Sequence, residues 1–569
     1  MNILTTSNNT KLAREGVMHD MAADPSHPPL TPACRIRSFG SEVAGVDDLG
    51  TTGRGGDLQI GTYIEKMFNS ELSGNVIDLC PVGALTSKPY AFTARTWELR
   101  STESVDVMDA VGTNITVNTR GGEVMRIIPR LNEDINEEWL ADKGRFSYDG
   151  LKRQRLTSPY VKGADGNLVA ASWEDALEAV ADGLSGLSGN DIMGVTGAQT
   201  DAETATAVWD LLHTLDSEAL HTETPFPQSA GGSGLRSNYL LNTTIAGIEE
   251  ADLLLLVGTN PRYEAPLVNA RIRKAFIQND LDVAVLGTPV DLTYYYDWLG
   301  DETTTLAAIA AGTHGFAKEL AEAVNPVIII GDNAFARDDA DAMFAEVQKI
   351  QGSTGAKLNV LHSSAGQVGA LDIGYTGGVP AGSKPKAVFL LGAEAVPSEV
   401  TDGAFVVYLG SHGDAGAASA DVILPGAAYT EKDGTYVNTE GRSQTTRKAV
   451  TPPEQAREDW KVIRALSEVL GVPLPYDTIG EVRARLSELA PSLTKYDVVE
   501  KANFMSSAMT LASANKSKVG SVPVSSPQTE LRHYYMTDPI TRASPTMAKC
   551  VKATANPISD MAEESSTRW

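Results

Sequence analysis

Five short apolar runs without polar alternation mark the middle of the chain: Asp252-Leu-Leu-Leu-Leu-Val257, Asp282-Val-Ala-Val-Leu286, Val327-Ile-Ile-Ile330, Ala387-Val-Phe-Leu-Leu391 and Phe405-Val-Val-Tyr-Leu409. A strand that is apolar at nearly every position is buried on both faces, the habit of parallel sheets covered by helices on either side. Each run is followed at once by a glycine, Gly258, Gly287, Gly331, Gly392 or Gly410. Lacking a Cβ, glycine lets the backbone turn sharply out of a sheet. Between the runs lie stretches of helical period such as Ser172-Trp-Glu-Asp-Ala-Leu-Glu-Ala-Val180, where Ser172 caps and Asp175 completes a capping box. The pattern predicts an open, doubly wound α/β domain or a pair of them over about 153–475.

Ligands in such folds bind where loops leave the carboxyl ends of the strands, so Gly258-Thr-Asn-Pro261 and Ala230-Gly-Gly-Ser-Gly234 are the natural loops to inspect. Neither has the spacing of a dinucleotide fingerprint or a phosphate loop, and a plain tight turn is the favoured reading of both. At 569 residues the chain exceeds the limit of about 250–300 for one hydrophobic core, so several domains are expected. Asp+Glu 73 against Lys+Arg 47 leaves a net charge of −26, a field that repels phosphate backbones and makes nucleic acid an unexpected partner. The same charge keeps the chain soluble and offers basic partner surfaces something to meet. The purest apolar stretch, Leu253–Val257, is far shorter than the roughly 18–20 residues of a spanning helix, so no direct membrane span is expected.

Only Cys34, Cys80 and Cys550 are present, far apart in the chain, which excludes a disulfide framework and points to a reducing compartment. A cubane iron–sulfur cluster takes four ligands, normally thiolates, and a structural zinc takes four Cys or His, so cysteine alone can complete neither. The eight histidines include no pair three or four residues apart and read as isolated core or surface residues. Residues 1–36 lack the apolar stretch of about 7–15 residues that a secretory signal carries. Lys11, Arg14, Arg35 and Arg37 have a presequence-like character that Glu15, Asp20 and Asp24 contradict, and His27-Pro-Pro-Leu-Thr-Pro32 reads as extended linker. A disordered or presequence-like tail is the expectation for 1–36.

Specific strings go further. Phe39-Gly-Ser-Glu-Val-Ala-Gly-Val-Asp-Asp-Leu-Gly50, Gly61-Thr-Tyr-Ile-Glu-Lys66 and Glu71-Leu-Ser-Gly-Asn-Val-Ile-Asp-Leu-Cys-Pro-Val-Gly-Ala-Leu85 resemble the 75 kDa iron–sulfur subunit family of respiratory complex I. In that family CPVGAL supplies the fourth cysteine of a 4Fe–4S cluster, and an upstream CxxCxxC supplies the others. In the register set by Cys80 those three positions read Leu30, Ala33 and Ile36, with Cys34 out of step. Residues 37–95 are therefore expected to be the remnant of a ferredoxin-like 4Fe–4S domain, with Cys80 the single candidate metal ligand. Glu98-Leu-Arg-Ser-Thr-Glu-Ser-Val-Asp-Val-Met-Asp-Ala-Val-Gly112 and Glu138-Trp-Leu-Ala-Asp-Lys-Gly-Arg-Phe146 are similar to the small cluster domain that opens molybdopterin oxidoreductases. The four ligand positions implied by that resemblance read Ser101, Ser104, Met108 and Ala141, so 96–152 is expected to be a small β domain whose ligands are lost. Ala420-Asp-Val-Ile-Leu-Pro425 and Glu431-Lys-Asp-Gly-Thr-Tyr-Val-Asn-Thr-Glu-Gly-Arg442 resemble molybdopterin enzymes as well. Tyr535-Met-Thr-Asp-Pro-Ile-Thr-Arg-Ala-Ser544 resembles the tail of the complex I subunit in mitochondria and their bacterial relatives.

The resemblance, over about 38–550, implies an α/β, molybdopterin-oxidoreductase-like fold of doubly wound parallel sheets preceded by small cluster-domain remnants. It implies a core structural subunit of the NADH-oxidising peripheral arm, on the matrix side of the mitochondrial inner membrane. Its partners would be the other peripheral-arm subunits, including those bearing flavin and iron–sulfur clusters. No complete active site or cofactor is expected in this chain: no molybdopterin, because no Cys or selenocysteine is positioned to ligate molybdenum, and at most a 4Fe–4S cluster shared through Cys80. Two accounts of the missing cysteines stay open, a split subunit in which a separate chain brings CxxCxxC, and an incomplete front end. Cys80 itself has the competing reading of a buried, inert thiol. The alternative function is a free-standing molybdopterin-dependent oxidoreductase of the formate dehydrogenase type. Glu431, Lys432, Asn438, Glu440 and Arg442 would then be a pocket remnant, against the plainer expectation of a hairpin at Gly434 with solvated charges. Residues 476–569 are expected to begin with helices, including Ile479–Leu489, and to become an extended strap over 506–530 that orders on docking.

Overall fold

In the computed structural model of the chain, which describes residues 4–6, 36–52, 59–62, 68–80, 85–228, 232–500, 505–514, 520, 523–524 and 530–555, all five apolar runs are strands. They divide between two sheets. One has five parallel strands in the order Asp297–Trp298, Asp282–Leu286, Leu253–Val257, Pro326–Gly331 and Lys357–Leu361. Along its central strand Leu253, Leu255 and Val257 face the helix Ala340–Thr354, and Leu254 and Leu256 face the helix Pro266–Gln278. Covering both faces is what lets every position be apolar, and each fully buried leucine contributes about 1.5–3 kcal/mol.

The other sheet has eight strands. Thr376–Gly377, Leu220–Thr222, Ile192–Thr196, Ala387–Leu391, Phe405–Gly410 and Val422–Pro425 run parallel, and the antiparallel hairpin Tyr160–Lys162 with Leu168–Ala170 closes one edge. The chain lays down Ile192–Thr196 and Leu220–Thr222, leaves to build the whole five-stranded sheet, and returns to complete this one. Helices Trp173–Leu184, Ala202–Thr214, Asp459–Val469 and Ile479–Leu489 pack beside it, the first with the capping box of Ser172 and Asp175 in place. Ahead of this body, Arg100–Val105, Asn114–Arg120 and Glu123–Pro129 form a three-stranded antiparallel sheet. Its tighter hairpin turns on Gly121 and Gly122, both at positive φ as a two-residue mirror-image turn requires.

Three expectations change. Leu4–Thr6 pairs with Leu85–Ser87 rather than belonging to a wholly disordered tail, and the remainder of 1–35, Cys34 included, lies outside the described residues. The strap over 506–530 begins as a helix and is extended at Pro523, which bridges Glu302. Met505–Ala514 lies against Ala340–Thr354, and Leu531–Tyr534, Pro539–Ala543 and Pro545–Ala555 bury Tyr534, Tyr535, Met547 and Cys550 against Phe146 and Tyr263. Aromatic anchors at 534 and 535 offset the ordering entropy that the polar composition upstream could not. Third, Glu431, Lys432, Glu440 and Arg442 are buried rather than solvated.

Candidate functional site

Cys80 sits at the C-terminal end of the helix Asn75–Leu79 and is 9% exposed. Ile36, in the register of a lost cysteine, is buried in the same apolar cluster, together with Phe39, Phe68, Leu72 and Val76. Leu30, Ala33, Pro81 and Ala84 lie outside the described residues. The start of the short helix is clamped to the small β domain. Asp142 accepts from the Ser73 hydroxyl at 2.5 Å and the Gly74 N–H at 2.6 Å, and its own N–H donates to the Glu71 carbonyl at 2.8 Å. The Asn75 amide donates to the Leu140 carbonyl and accepts from the Leu140 N–H and from Arg145, which also pairs with Asp78 at 2.6 Å. Glu71 continues to Arg262 at 3.0 Å, and Arg262 to Asp291 at 2.6 Å, so the segment carrying Cys80 is tied to the body as well.

Burial lifts the Asp142 carboxyl to about 7, against its hydrogen bonds from Ser73 and Gly74 and the charge of Arg145, which pull it down. A carboxyl raised in the folded state stabilises most below its unfolded value of about 3.9, and that contribution is lost as the pH rises through 7. Asp142→Asn should therefore flatten the fall in melting temperature between about pH 4 and 7. A slope identical to that of the unaltered chain would show Asp142 ionised throughout.

At the second set of lost positions, Ser104, Met108 and Ala141 are buried, whereas Ser101 is exposed and accepts from Asn118 at 3.0 Å. Two acids unremarked in the sequence occupy this interior. Asp106 abuts Gly144 so closely that any Cβ there would strike its carboxylate, and burial together with Asp109 raises it to about 7. Burial raises Asp109 too, against the Lys143 charge. Their embedding in Val105-Asp-Val-Met-Asp-Ala-Val111 was the available signal. None of the four positions offers a thiolate, and among the described residues no group of three or more His, Cys, Asp or Glu could hold a metal ion.

The carboxyl ends of the two sheets are filled differently. At the five-stranded sheet, the Gly258-Thr-Asn-Pro261 turn is covered by Val524, which a Cβ on Gly258 would strike, and the Thr259 hydroxyl donates to Glu264 at 2.6 Å. The turn reading fits this loop; Ala230 and Gly231 of the other loop lie outside the described residues. At the eight-stranded sheet a cavity of about 330 Å³ is lined by Ala198–Thr200, which follow the strand Ile192–Thr196, and by the ends of Ala387–Leu391 and Phe405–Gly410. This is at the low end of the roughly 300–1,000 Å³ that hold drug-sized ligands. Glu223 lines it, half-buried, and accepts the N–H groups of Ala198 at 2.7 Å, Glu394 at 2.8 Å and Ala395 at 3.1 Å. Burial raises Glu223, partly offset by those three N–H groups and Arg542. Glu394 accepts from Tyr408 at 2.6 Å and from the Gly416 N–H at 2.7 Å, and burial raises it to about 7. Arg542, from the short helix Pro539–Ala543, reaches Asp414 at 2.5 Å. Donors that could face a molybdopterin phosphate are thus turned onto the chain's own carboxylates, and the residues present do not fit that group.

Of the 431–442 charges, Lys432 lines this cleft. Glu431 receives both Arg155 guanidinium nitrogens, at 2.5 and 2.7 Å. Lys432 bridges Asp201 and Asp459; burial pulls its ammonium down, and the two carboxylates more than offset this and hold it well above its usual value. Glu440 is 1% exposed and pairs with Arg442 at 2.7 Å, while Asn438 donates to the Val111 carbonyl. The hairpin itself exists, Thr435–Val437 against Ser443–Thr445, but its turn bears Gly441 at φ 82° and Gly434 precedes it. Tertiary packing inverts the solvated reading because each of these buried charges finds a partner from a segment distant in sequence. His412, beside the cavity, is held neutral at about 3 by burial and by Arg155.

Comparison with known proteins accounts for these parts in order. The molybdopterin oxidoreductase model matches residues 155–469. The NADH-quinone oxidoreductase subunit 3 ferredoxin-like domain matches 33–86, and the NADH-ubiquinone oxidoreductase NDSU1/NuoG-like 4Fe-4S domain matches 99–149. The C-terminal domain of the G-type NADH-ubiquinone oxidoreductase subunits matches 498–550. The mitochondrial NADH dehydrogenase (ubiquinone) iron-sulfur protein 1 of Solanum tuberosum is 50% identical over 533 residues, 91% of this chain and 70% of that relative. The mitochondrial NADH-ubiquinone oxidoreductase 78 kDa subunits of Candida albicans and Neurospora crassa are 46% and 48% identical, over 93% and 92% of this chain and 75% and 72% of theirs.

Proposed function

The chain belongs to the family of the 75/78 kDa iron–sulfur subunits of NADH:ubiquinone oxidoreductase, complex I, and from that premise we propose that it braces the NADH-oxidising arm without a complete active site of its own. It is a component of an oxidoreductase complex with other complex I subunits as partners, not a free-standing molybdopterin enzyme. Its relatives are mitochondrial, and among the described residues no helix is long and apolar enough to cross a membrane. In the finer reading it lies on the matrix face of the inner membrane, against the flavin-bearing and cluster-bearing subunits.

One observation carries the reading: of the eight positions that would ligate two clusters, Leu30, Ala33, Ile36, Cys80, Ser101, Ser104, Met108 and Ala141, one is a thiol. Electrons then pass through centres that neighbours hold, while this chain supplies the rigid double-sheet body between them. Cys80 is the fourth ligand of a 4Fe–4S cluster whose other three cysteines arrive on a separate chain. The clamp of Asp142, Asn75 and Arg145 supports this, since it holds the segment leading into Cys80 in one position on a rigid neighbour.

Expressed alone and isolated without oxygen, the chain should be colourless, with no iron, acid-labile sulfide or molybdenum. Stoichiometric iron and sulfide would overturn the bracing role, and molybdenum with a fluorescent pterin oxidation product would restore the molybdopterin alternative. Sequencing the polypeptides that co-purify with the native complex tests the split cluster, because one of them must carry CxxCxxC.

A further inference from the structure

The eight-stranded sheet reverses its winding between Ile192–Thr196 and Ala387–Leu391. From the first strand the chain steps outward to Leu220–Thr222, and from the second it steps the other way to Phe405–Gly410. The crevice at such a reversal is where doubly wound sheets bind ligands, with backbone N–H groups turned towards ligand phosphates. The loops beyond these two strands supply the N–H groups of Ala198, Glu394 and Ala395, and all three converge on one side chain, Glu223, which follows the neighbouring strand directly. One carboxylate oxygen takes Ala198 and the other takes Glu394 and Ala395, so both are engaged by the loops of the crevice. Arg542 reaches in from the short helix Pro539–Ala543 to Asp414 at 2.5 Å and adds positive charge near the same point.

We propose that Glu223 is a built-in anion, occupying the seat that a ligand phosphate takes in sheets of this winding, and that removing its side chain opens the crevice to a free phosphate or diphosphate. The carboxylate satisfies the part-buried donors of Ala198 and Glu394 together with the more exposed N–H of Ala395, and its side chain fills the path to them. The inference rests on the cleft alone, so its failure leaves the assignment to the respiratory complex untouched.

The test uses the full chain with inorganic pyrophosphate as probe, and sodium chloride at equal ionic strength as control. The unaltered chain should bind no pyrophosphate in equilibrium dialysis and show no specific rise in melting temperature. Glu223→Ala should melt lower, recover with pyrophosphate beyond the chloride control, and bind it about tenfold or more tighter than the unaltered chain, as expected when charge-assisted hydrogen bonds are regained. Equal binding by both chains, or no recovery, would overturn the proposal. Glu223→Gln keeps the bulk but turns an amide N–H₂ onto the donors, so it should melt lower without taking up pyrophosphate. This second variant decides the matter if Glu223→Ala does not fold, because a Gln chain as stable as the unaltered one would mean that no anion is needed there.

Discussion

Cys80→Ala in the assembled respiratory complex should abolish one 4Fe–4S signal outright while leaving the remaining clusters and NADH oxidation at the flavin intact. A cubane that loses one of four thiolates loses the iron that thiolate held, and the alanine methyl cannot replace it. The helix Asn75–Leu79 is held by bonds of Gly74 to Asp142, Asn75 to Leu140 and Asp78 to Arg145, and none of these involves the Cys80 thiol, so the loss should be local. Electron paramagnetic resonance of the reduced complex is the measurement. An unchanged spectrum would make Cys80 the inert apolar thiol that its surroundings of Ile36, Phe39, Phe68 and Leu72 also accommodate. Melting the variant chain alone separates the cases further, since a packing role predicts a lower melting temperature with every cluster signal retained.

Lys432→Met should destabilise the chain by about 3–5 kcal/mol, the usual cost of removing one partner from a buried ion pair. Asp201 and Asp459 would then face each other beside the cleft, both buried, with no cation between them. Against a typical total of about 5–15 kcal/mol, that loss removes about a fifth or more of the margin. Asp201 also caps the helix Ala202–Thr214 through the Thr204 N–H at 3.1 Å, so the damage should spread to that helix. Adding Asp459→Asn to Lys432→Met should recover part of the loss by removing one of the two unpaired charges. Chemical denaturation of the three chains checks both statements, and a Lys432→Met chain as stable as the parent would mean that the carboxylates already share a proton.

The strands were legible because burial on both faces leaves an unmistakable mark. Leu253–Val257 contacts a different helix at alternate positions, and no polar residue is tolerated at any of them. Ser172 and Asp175 were legible because a capping box is a local device, complete within four residues. Glu431 and Lys432 were misread for the opposite reason. Their partners Arg155, Asp201 and Asp459 come from other parts of the chain, and a charged pair beside a glycine looks like a solvated turn until those segments meet. Glu223 and Asp142 gave no local sign of their roles, because an acid that satisfies backbone N–H groups of distant loops has no spacing of its own.

The amino-acid sequence by itself determined the class of the fold, the family and the shortage of sulfur, since these depend on periodicity, on strings of neighbouring residues and on counting. Tertiary structure alone decided that the charges of 431–442 are interior, that the winding reversal is seated by Glu223, and that the segment before Cys80 is clamped from a separate domain. The physical reason is range. Apolar burial is non-directional and leaves its period in the chain, whereas a buried charge or N–H group is stabilised only by a partner whose position the completed fold creates.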